Sequence, residues 1–256
     1  MRTFFILWQD PDSRQWFPVG KLTYSNKVYT FVYTYGAKLS PRFVPLGVMR
    51  DLEISYEAEQ LFPLFANRLL SRHRPEYKTY LNWLNIQSEP MNPLDELERT
   101  GGIRATDSLA VIPCPIPNSE GNFTLTFFGH GIRYLPEQAQ QWVTTLKSGR
   151  PLYLMFDNQN EQDNLAIAIR TEPVMVVGYL PRYFAEDLRS LMNQVGESVK
   201  VWVEKVNLDA PIQLRLLCSM KAKWPENFKS CSGELYTPLT DSPSHVSAHG
   251  AYSSIG

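Results

Sequence analysis

Three prolines on alternating positions interrupt the middle of this chain, within the segment Pro113-Cys114-Pro115-Ile116-Pro117-Asn118-Ser119-Glu120-Gly121. Proline fixes φ and removes a backbone donor, so this segment cannot form a central strand. We interpret residues 113–121 as a linker between a first part, 1–112, and a second part, 122–236. Residues 237–256 are rich in Ser, His, Gly and Ala, and we predict a disordered tail there because they offer little to bury.

The first part alternates aromatic and β-branched residues early and shows helical spacing later, which predicts a small β meander with helices. The expected strands are Phe4–Trp8, Trp16–Tyr24 and Val28–Tyr35, and the expected helices are Glu57–Leu70, a segment after Pro75 that includes Tyr77–Leu84, and Pro93–Arg99. Gly101 and Gly102 are typical helix stop signals.

The second part reads as strands around two helices, and the fold class of the whole chain is therefore α+β. The expected strands are Phe123–Phe128, Pro151–Phe156, Leu165–Arg170, Val174–Gly178, Val199–Val206 and Ile212–Ser219. The two helices are expected to begin at Pro136 and Pro181, since proline is favoured in the first helical turn.

Charge and cysteine content exclude several classes of protein. The net charge is -1, with 25 Lys and Arg against 26 Asp and Glu, whereas tight tracking along a duplex would need an excess of cations. The three cysteines are far apart and form no C-x-x-C, so neither a zinc finger nor a disulfide framework is indicated. No signal peptide and no apolar run of about 20 residues is visible, and we expect a cytoplasmic protein without a membrane partner.

Three segments of the second part resemble the HIRAN domain, a β-barrel module of bacterial proteins and of some chromatin-remodelling helicases. They are Gly131-Ile132-Arg133-Tyr134, the stretch Leu154–Ile167 with its Asn-rich loop, and Val177-Gly178-Tyr179-Leu180-Pro181-Arg182. The resemblance runs from about residue 127 to 220. It implies a β-barrel-like (HIRAN/OB-like) module that binds the 3′ end of single-stranded DNA, or of RNA, since both carry a 3′-hydroxyl.

The resemblance also implies the site residues, which are Arg133, Tyr134, Asn160, Asp163, Asn164, Tyr179 and Arg182. An arginine can bind a phosphate through two parallel hydrogen bonds, and an aromatic ring can stack on a base. A carboxylate repels phosphate, so Asp163 is expected to accept from the 3′-hydroxyl. Leu135 stands where the family has a further aromatic.

Structural alternatives remain open for Arg133, Tyr134, Asp163 and Arg182. Arg133 and Tyr134 could close one end of a barrel, and Asp163 could cap its loop by accepting backbone N–H bonds. Arg182 could be a solvated residue on a first helical turn, although a helix N-terminus also favours a phosphate. His130, between two glycines, reads as a turn residue that could also meet a phosphate.

The first part resembles the N-terminal subdomain of HipA-type kinases of bacterial toxin–antitoxin pairs. The matching segments are Gly20–Tyr24, Tyr29–Tyr33, Leu61–Leu69 and Gly101–Asp107. The kinase core and its nucleotide loop are missing from the chain, so the resemblance implies an interaction module without catalysis.

We therefore predict a non-catalytic nucleic-acid binding protein with no cofactor and no metal. One enzymatic alternative is a magnesium-dependent nuclease that uses Asp157, Glu161 and Asp163. The other alternative is a protein-interaction module of a toxin–antitoxin or defence system, in which exposed aromatics of Val28–Tyr35 bind a partner. The expected protein partners are a kinase, a repressor, a helicase or a nuclease.

Overall fold

The structure of the protein, a computed structural model, describes residues 1–87, 92–104, 107–240 and 246–247. The chain folds into two compact units. The first unit comprises the described residues of 1–70, 92–114 and 231–256, and the second unit those of 71–91 and 115–230.

The described secondary structure is mixed, which confirms the α+β fold class. The strands are β1 Arg2–Gln9, β2 Trp16–Ser25, β3 Val28–Tyr33, β4 Tyr56–Ala58, β5 Leu109–Pro113, β6 Asn122–Phe128, β7 Pro151–Phe156, β8 Ile167–Thr171, β9 Met175–Tyr179, β10 Lys200–Val206, β11 Leu216–Lys223 and β12 Val246–Ser247. The α-helices are α1 Tyr35–Leu39, α2 Pro63–Ala66, α3 Tyr77–Trp83, α4 Pro93–Thr100, α5 Glu137–Thr145 and α6 Ala185–Val195. Short 3-10 turns cover Ile132–Tyr134, Arg182–Phe184, Gly196–Ser198, Ile212–Leu214 and Glu234–Tyr236.

The first unit contains a sheet with the strand order β12-β4-β3-β2-β1-β5. Strands β1, β2 and β3 are the predicted antiparallel meander. On β3, the aromatic residues Tyr29, Phe31 and Tyr33 are buried in the core of this unit. The expectation of exposed aromatics on this strand is wrong, because β3 lies between β2 and β4 and turns its rings into the core.

Two segments of the first unit differ from the sequence prediction. The helix expected over Glu57–Leu70 is replaced by β4 and the four-residue α2, because residues 56–58 pair with β3 and the short helix begins only at Pro63. The predicted third strand ends early, since α1 begins at Tyr35.

Residues 237–240 pair with the end of β3 and the start of α1, contrary to the predicted tail. The N–H of Tyr35 donates to the carbonyl of Thr237, and the N–H of Leu239 donates to the carbonyl of Tyr33, both at 2.9 Å. Backbone pairing and the packing of Leu239 against the core of the first unit therefore hold this segment in place. The remainder of the predicted tail, 241–245 and 248–256, lies outside the described residues.

The second unit also contains residues that the sequence analysis placed in the first part of the chain. Leu84, just after α3, packs against Phe128 of β6 and Leu217 of β11. The Nδ2 of Asn207 donates to the carbonyl of Trp83 at 2.9 Å. Residues 71–87 thus belong to this unit although they precede the predicted linker, since contacts distant in sequence decide the grouping.

The sheet of the second unit has the strand order β6-β11-β10-β7-β8-β9. Just after β6, the N–H and carbonyl of His130 exchange hydrogen bonds of 2.8 Å with the carbonyl and N–H of Tyr179 at the end of β9. We call this pairing the barrel seam, because it joins the two edges of the sheet. The predicted β-barrel-like module with helices α5 and α6 is confirmed.

Candidate nucleic-acid interface

A tight turn follows the barrel seam and presents the first two candidate residues. Gly131 has a φ of 72° and precedes the 3-10 turn Ile132–Tyr134. A Cβ at this glycine would lie 3.1 Å from Cδ2 of Tyr179. Glycine therefore serves here both for its left-handed backbone and for the close approach of the turn to the Tyr179 ring.

Arg133 and Tyr134 project into solvent from this turn. The Tyr134 side chain is 81% exposed, and the Arg133 guanidinium lies 5.2 Å from the centroid of its ring. Nε2 of Gln140 on α5 donates to the carbonyl of Leu135 at 2.8 Å and holds the end of the turn. An exposed ring beside a cation, on an anchored backbone, suits stacking of a base and pairing with a phosphate.

The polar loop between β7 and β8 folds around Asn160. Its Oδ1 accepts the N–H groups of Gln162 and Asp163 at 3.0 and 3.2 Å. The carbonyl of Asp163 in turn accepts the N–H of Ala166 at 3.0 Å. Asn160 therefore shapes the loop that carries Asp163, a role typical of asparagine in turns.

The same loop is tied to the barrel seam through Tyr179. The Tyr179 hydroxyl donates to Oδ2 of Asp157 at 3.1 Å, and Nδ2 of Asn160 donates to the same oxygen at 3.1 Å. Burial and the bond to this carboxylate raise the pKa of Tyr179. The phenol therefore stays protonated and keeps its ring fixed beside Gly131.

Asp163 has two different acceptor environments. Its Oδ1 accepts the N–H of Leu165 at 3.0 Å, so it does cap the loop. Its Oδ2 lies 3.5 Å from Nε of Arg182, and the side chains of Asp163 and Arg182 are 13% and 40% exposed. A carboxylate offers about four lone-pair positions, so capping and ion pairing leave capacity for a further donor.

Arg189 of α6 is a residue of this region that the sequence prediction did not include. Its Nη2 donates to Oδ1 of Asn158 at 2.8 Å, its Nε donates to the carbonyl of Leu165 at 2.9 Å, and its guanidinium lies 4.5 Å from the Phe156 ring centroid. It fastens both ends of the loop to the helix. No local pattern in the sequence reveals such a long-range role. Asn164 is exposed, and its carbonyl also accepts from Arg189, at 3.4 Å.

His130 is held at the barrel seam by its backbone, as a turn residue. Its ring packs edge-on against Tyr183, with 6.2 Å between centroids. Burial lowers its pKa to about 4, so the imidazole is neutral near pH 7. A neutral imidazole offers a phosphate only a hydrogen bond and no charge.

The structure thus connects the predicted residues through a chain of contacts. Gly131 brings the Arg133–Tyr134 turn against Tyr179, which reaches Asn160 through Asp157. Asn160 then fixes Asp163, which faces Arg182. The magnesium alternative gains no support, since the described residues contain no group of three His, Cys, Asp or Glu side chains that could hold a metal ion.

Residues 122–224 match the family model of the HIRAN domain, which confirms that part of the sequence resemblance. The HIRAN domain of human HLTF is similar at 18% identity over 43% of this chain and 84% of that chain, with a TM-score of 0.32. A protein from Lactobacillus plantarum is similar at 21% identity over 40% of this chain and 99% of that chain, with a TM-score of 0.30.

A search of curated proteins finds no match. The resemblance of the first part to HipA-type kinases stays a prediction, and Ala105 and Thr106 of its last segment lie outside the described residues. None of the helices that the structure describes has the length and apolar character needed to cross a bilayer.

Proposed function

We propose that the protein binds the 3′ end of a single-stranded nucleic acid, with single-stranded DNA as its ligand, and that it does so without catalysis. The HIRAN match over residues 122–224 supports nucleic-acid binding by the second unit. One observation favours an end over an internal segment, namely the partly exposed Asp163 carboxylate, which faces a cation on one side and keeps acceptor capacity.

The roles of the side chains follow from their chemistry. The exposed Tyr134 ring stacks on a base, and the Arg133 guanidinium beside it pairs with a phosphate. Asp163 accepts the terminal 3′-hydroxyl, while Arg182 balances its charge and faces the last phosphate. Asn164, exposed on the same loop, can bond a sugar or base edge.

Near-neutral net charge is compatible with this kind of ligand. A protein that tracks a duplex needs many cations, but an end-binding site needs only a few contacts. An internal phosphodiester cannot donate a hydrogen bond to Asp163 and would bring negative charge next to it. Discrimination between an end and an internal segment therefore comes from one carboxylate.

The test compares three oligonucleotides of the same sequence that end in a 3′-hydroxyl, a 3′-hydrogen or a 3′-phosphate. A hydrogen bond to a charged group contributes about 1.5–3 kcal/mol, so we expect the 3′-hydroxyl to bind roughly tenfold or more tightly than the 3′-hydrogen. The 3′-phosphate should bind most weakly because it also adds repulsion. Fluorescence anisotropy with full-length protein measures all three affinities.

The variant Asp163→Asn isolates the carboxylate, because an asparagine oxygen can still accept the N–H of Leu165 and preserve the loop. Its affinities for the three oligonucleotides should converge. Glu161→Gln, an exposed residue of the same loop, is the matched control and should keep the wild-type order. Equal affinity of the wild-type protein for all three ends would remove the role of Asp163.

The aromatics of β3 that the protein-interaction alternative needs at the surface are buried in the first unit. A protein partner of the first unit stays a prediction.

A further inference from the structure

Three lysines lie close together on the second unit, far from the candidate site along the strands. Lys200 begins β10, and Lys221 and Lys223 end β11. All three are exposed and line one concavity together with Asn122 and Ser198. We call these three lysines the lysine patch.

The register of the sheet places these charges against one another. Lys200 is directly opposite Lys221 across the β10–β11 pair, so their Cβ atoms are about 5 Å apart. Lys223 is two residues beyond Lys221 and points to the same face. Like charges directly opposite are destabilising, and among the described residues none of the three lysines has a carboxylate within ion-pair distance.

Beside the patch this sheet face carries polar side chains, whereas nearer the seam Leu84 covers it at Phe128 and Leu217. Thr124 and Thr126 of β6 lie opposite Lys221 and Ser219 of β11. Trp202, half-buried, follows Lys200 on the same face of β10 and lies opposite Ser219. Hydroxyl groups, cations and one indole ring are groups that bind sugar, phosphate and base. The indole N–H of Trp202 donates to Oε2 of Glu204 at 3.2 Å, so only its ring is offered to a base.

The lysine patch is separated from the barrel seam by a distance that the strands define. The carbonyl of Leu216, at the start of β11, accepts the N–H of Gly129 beside the seam. Lys221 and Lys223 lie five and seven residues further along, or about 17–24 Å at about 3.4 Å per residue. A stacked strand advances about 3.4 Å per phosphate, so roughly five to seven nucleotides are needed to span this distance.

We propose that the lysine patch binds the phosphates of the same strand about five to seven nucleotides upstream of its bound end. This inference rests on the proposed function for its polarity, because the 3′ end is placed at Asp163, on the loop that Asp157 ties to Tyr179 of the barrel seam. The patch supplies affinity that is sensitive to salt, whereas the seam supplies recognition of the end.

The test uses full-length protein with 4-nucleotide and 12-nucleotide single strands, each with a 3′-hydroxyl and with a 3′-phosphate. The variant is Lys200→Gln/Lys221→Gln/Lys223→Gln. The control is Lys27→Gln/Lys78→Gln/Lys147→Gln, which removes the same charge from exposed lysines elsewhere. Both retain the long side chain, and thermal unfolding checks that both fold like the wild type.

We expect the patch variant to bind the 12-nucleotide strand about tenfold or more weakly at 0.1 M salt. The slope of log affinity against log salt should fall by about 2, which is about 0.7 for each of three lost phosphate contacts. The 4-nucleotide strand cannot span from the seam to the patch, so its affinity should match that of the wild type. The control variant should follow the wild type for both lengths.

The outcomes separate this inference from the proposed function. An unchanged salt slope and unchanged 12-nucleotide affinity in the patch variant overturn the lysine patch while end preference stands. A patch-dependent slope without preference for the 3′-hydroxyl supports the patch and overturns end recognition. If a glutamate decapeptide competes as well as the 12-nucleotide strand, and only when the patch is intact, the surface takes an acidic peptide and the nucleic-acid assignment is wrong.

Discussion

The first and second units each contain a six-stranded sheet, but they use their polar side chains differently. In the first unit, the buried Tyr33 hydroxyl donates to the carbonyl of Met49 and accepts from the N–H of Leu46, both at 2.6 Å. In the second unit, Asp163 keeps acceptor capacity at a partly exposed loop. A polar side chain whose hydrogen bonds are all made with the backbone stabilises a loop. A side chain that can still accept a further hydrogen bond can bind a ligand.

The backbone around the two sheets differs in the same way. In the first unit, a Cβ at Gly36 of α1 would lie 2.1 Å from the carbonyl oxygen of Pro18, so glycine permits tight internal packing. In the second unit, Gly131 permits an exposed turn to lie against Tyr179. The first glycine serves the core and the second serves the candidate site, and substitutions in the two units should therefore separate stability from binding.

The largest expected effect on stability is that of Phe31→Ala in the first unit. Phe31 is fully buried among the rings of Tyr33, Phe62 and Phe65. Removing a buried phenyl ring costs about 3–5 kcal/mol of unfolding free energy through lost burial and a cavity. Hydrogen exchange should show faster opening of β1–β3 peptides, with oligonucleotide affinity unchanged at a temperature where the variant is folded.

Val48→Ala is the control, since Val48 is 75% exposed and should change stability by no more than about 0.5 kcal/mol. If Phe31→Ala weakens oligonucleotide binding in the folded protein, the assignment of binding to the second unit alone is wrong.

The next effect concerns pH and the barrel seam. Burial lowers the pKa of His130 to about 4, against about 6.5 in the unfolded chain. Between these values the unfolded state binds more protons, so stability is present above about pH 6.5 and is lost as the pH falls toward 4. The loss should be on the order of 3 kcal/mol, measured by urea unfolding at several pH values.

His130→Gln should remove this part of the pH dependence, whereas His73→Gln should retain it because His73 is exposed. A wild-type protein whose pH dependence matches that of His130→Gln would show that the imidazole is not buried neutral at the seam.

The comparison also shows which parts of the structure the sequence could predict. An alternating pattern places β3 well, because its burial has a period of two. Short continuous apolar runs place β1, which has four consecutive buried residues, and β7. The helical spacing of Glu57–Leu70 wrongly predicts one long helix, because the pairing of β4 with β3 outweighs this local pattern. Strand β5 is absent from the sequence prediction because its short apolar run adjoins the proline-rich segment.

The candidate site is predictable only in its residue types. The family resemblance supplies Arg133, Tyr134 and Asp163, and the structure adds the contacts that join their loops. The pairing of His130 with Tyr179 links residues about fifty positions apart, which no local pattern encodes. For the same reason the sequence could not reveal that Lys200 faces Lys221 across two strands.

A smaller effect on stability is expected for Gly131→Ala. A non-glycine residue in left-handed backbone costs roughly 1–2 kcal/mol, and the added Cβ would press on the Tyr179 ring. The turn that carries Arg133 and Tyr134 should shift, so affinity for a 3′-hydroxyl oligonucleotide should fall several-fold.

Gly149→Ala is a matched control, because Gly149 has a φ of 81° and a Cβ added there would meet no atom within 4 Å. It should lose similar stability and no affinity, as measured by thermal unfolding and anisotropy. Equal affinity losses in both variants would mean that the contact with Tyr179 does not position the turn.

The smallest effect on stability, and a clear effect on binding, is expected for Tyr134→Ala. Tyr134 is 81% exposed, so the unfolding free energy should change by no more than about 0.5 kcal/mol. Loss of a stacked base costs about 1–3 kcal/mol, which corresponds to an affinity about 5–150-fold weaker.

Tyr134→Phe keeps the ring and should bind almost like the wild type. Tyr153→Ala removes another exposed tyrosine beside an arginine, Arg170, and should leave affinity unchanged. Equal losses for Tyr134→Ala and Tyr153→Ala would indicate a nonspecific aromatic surface instead of a stacking position at the barrel seam.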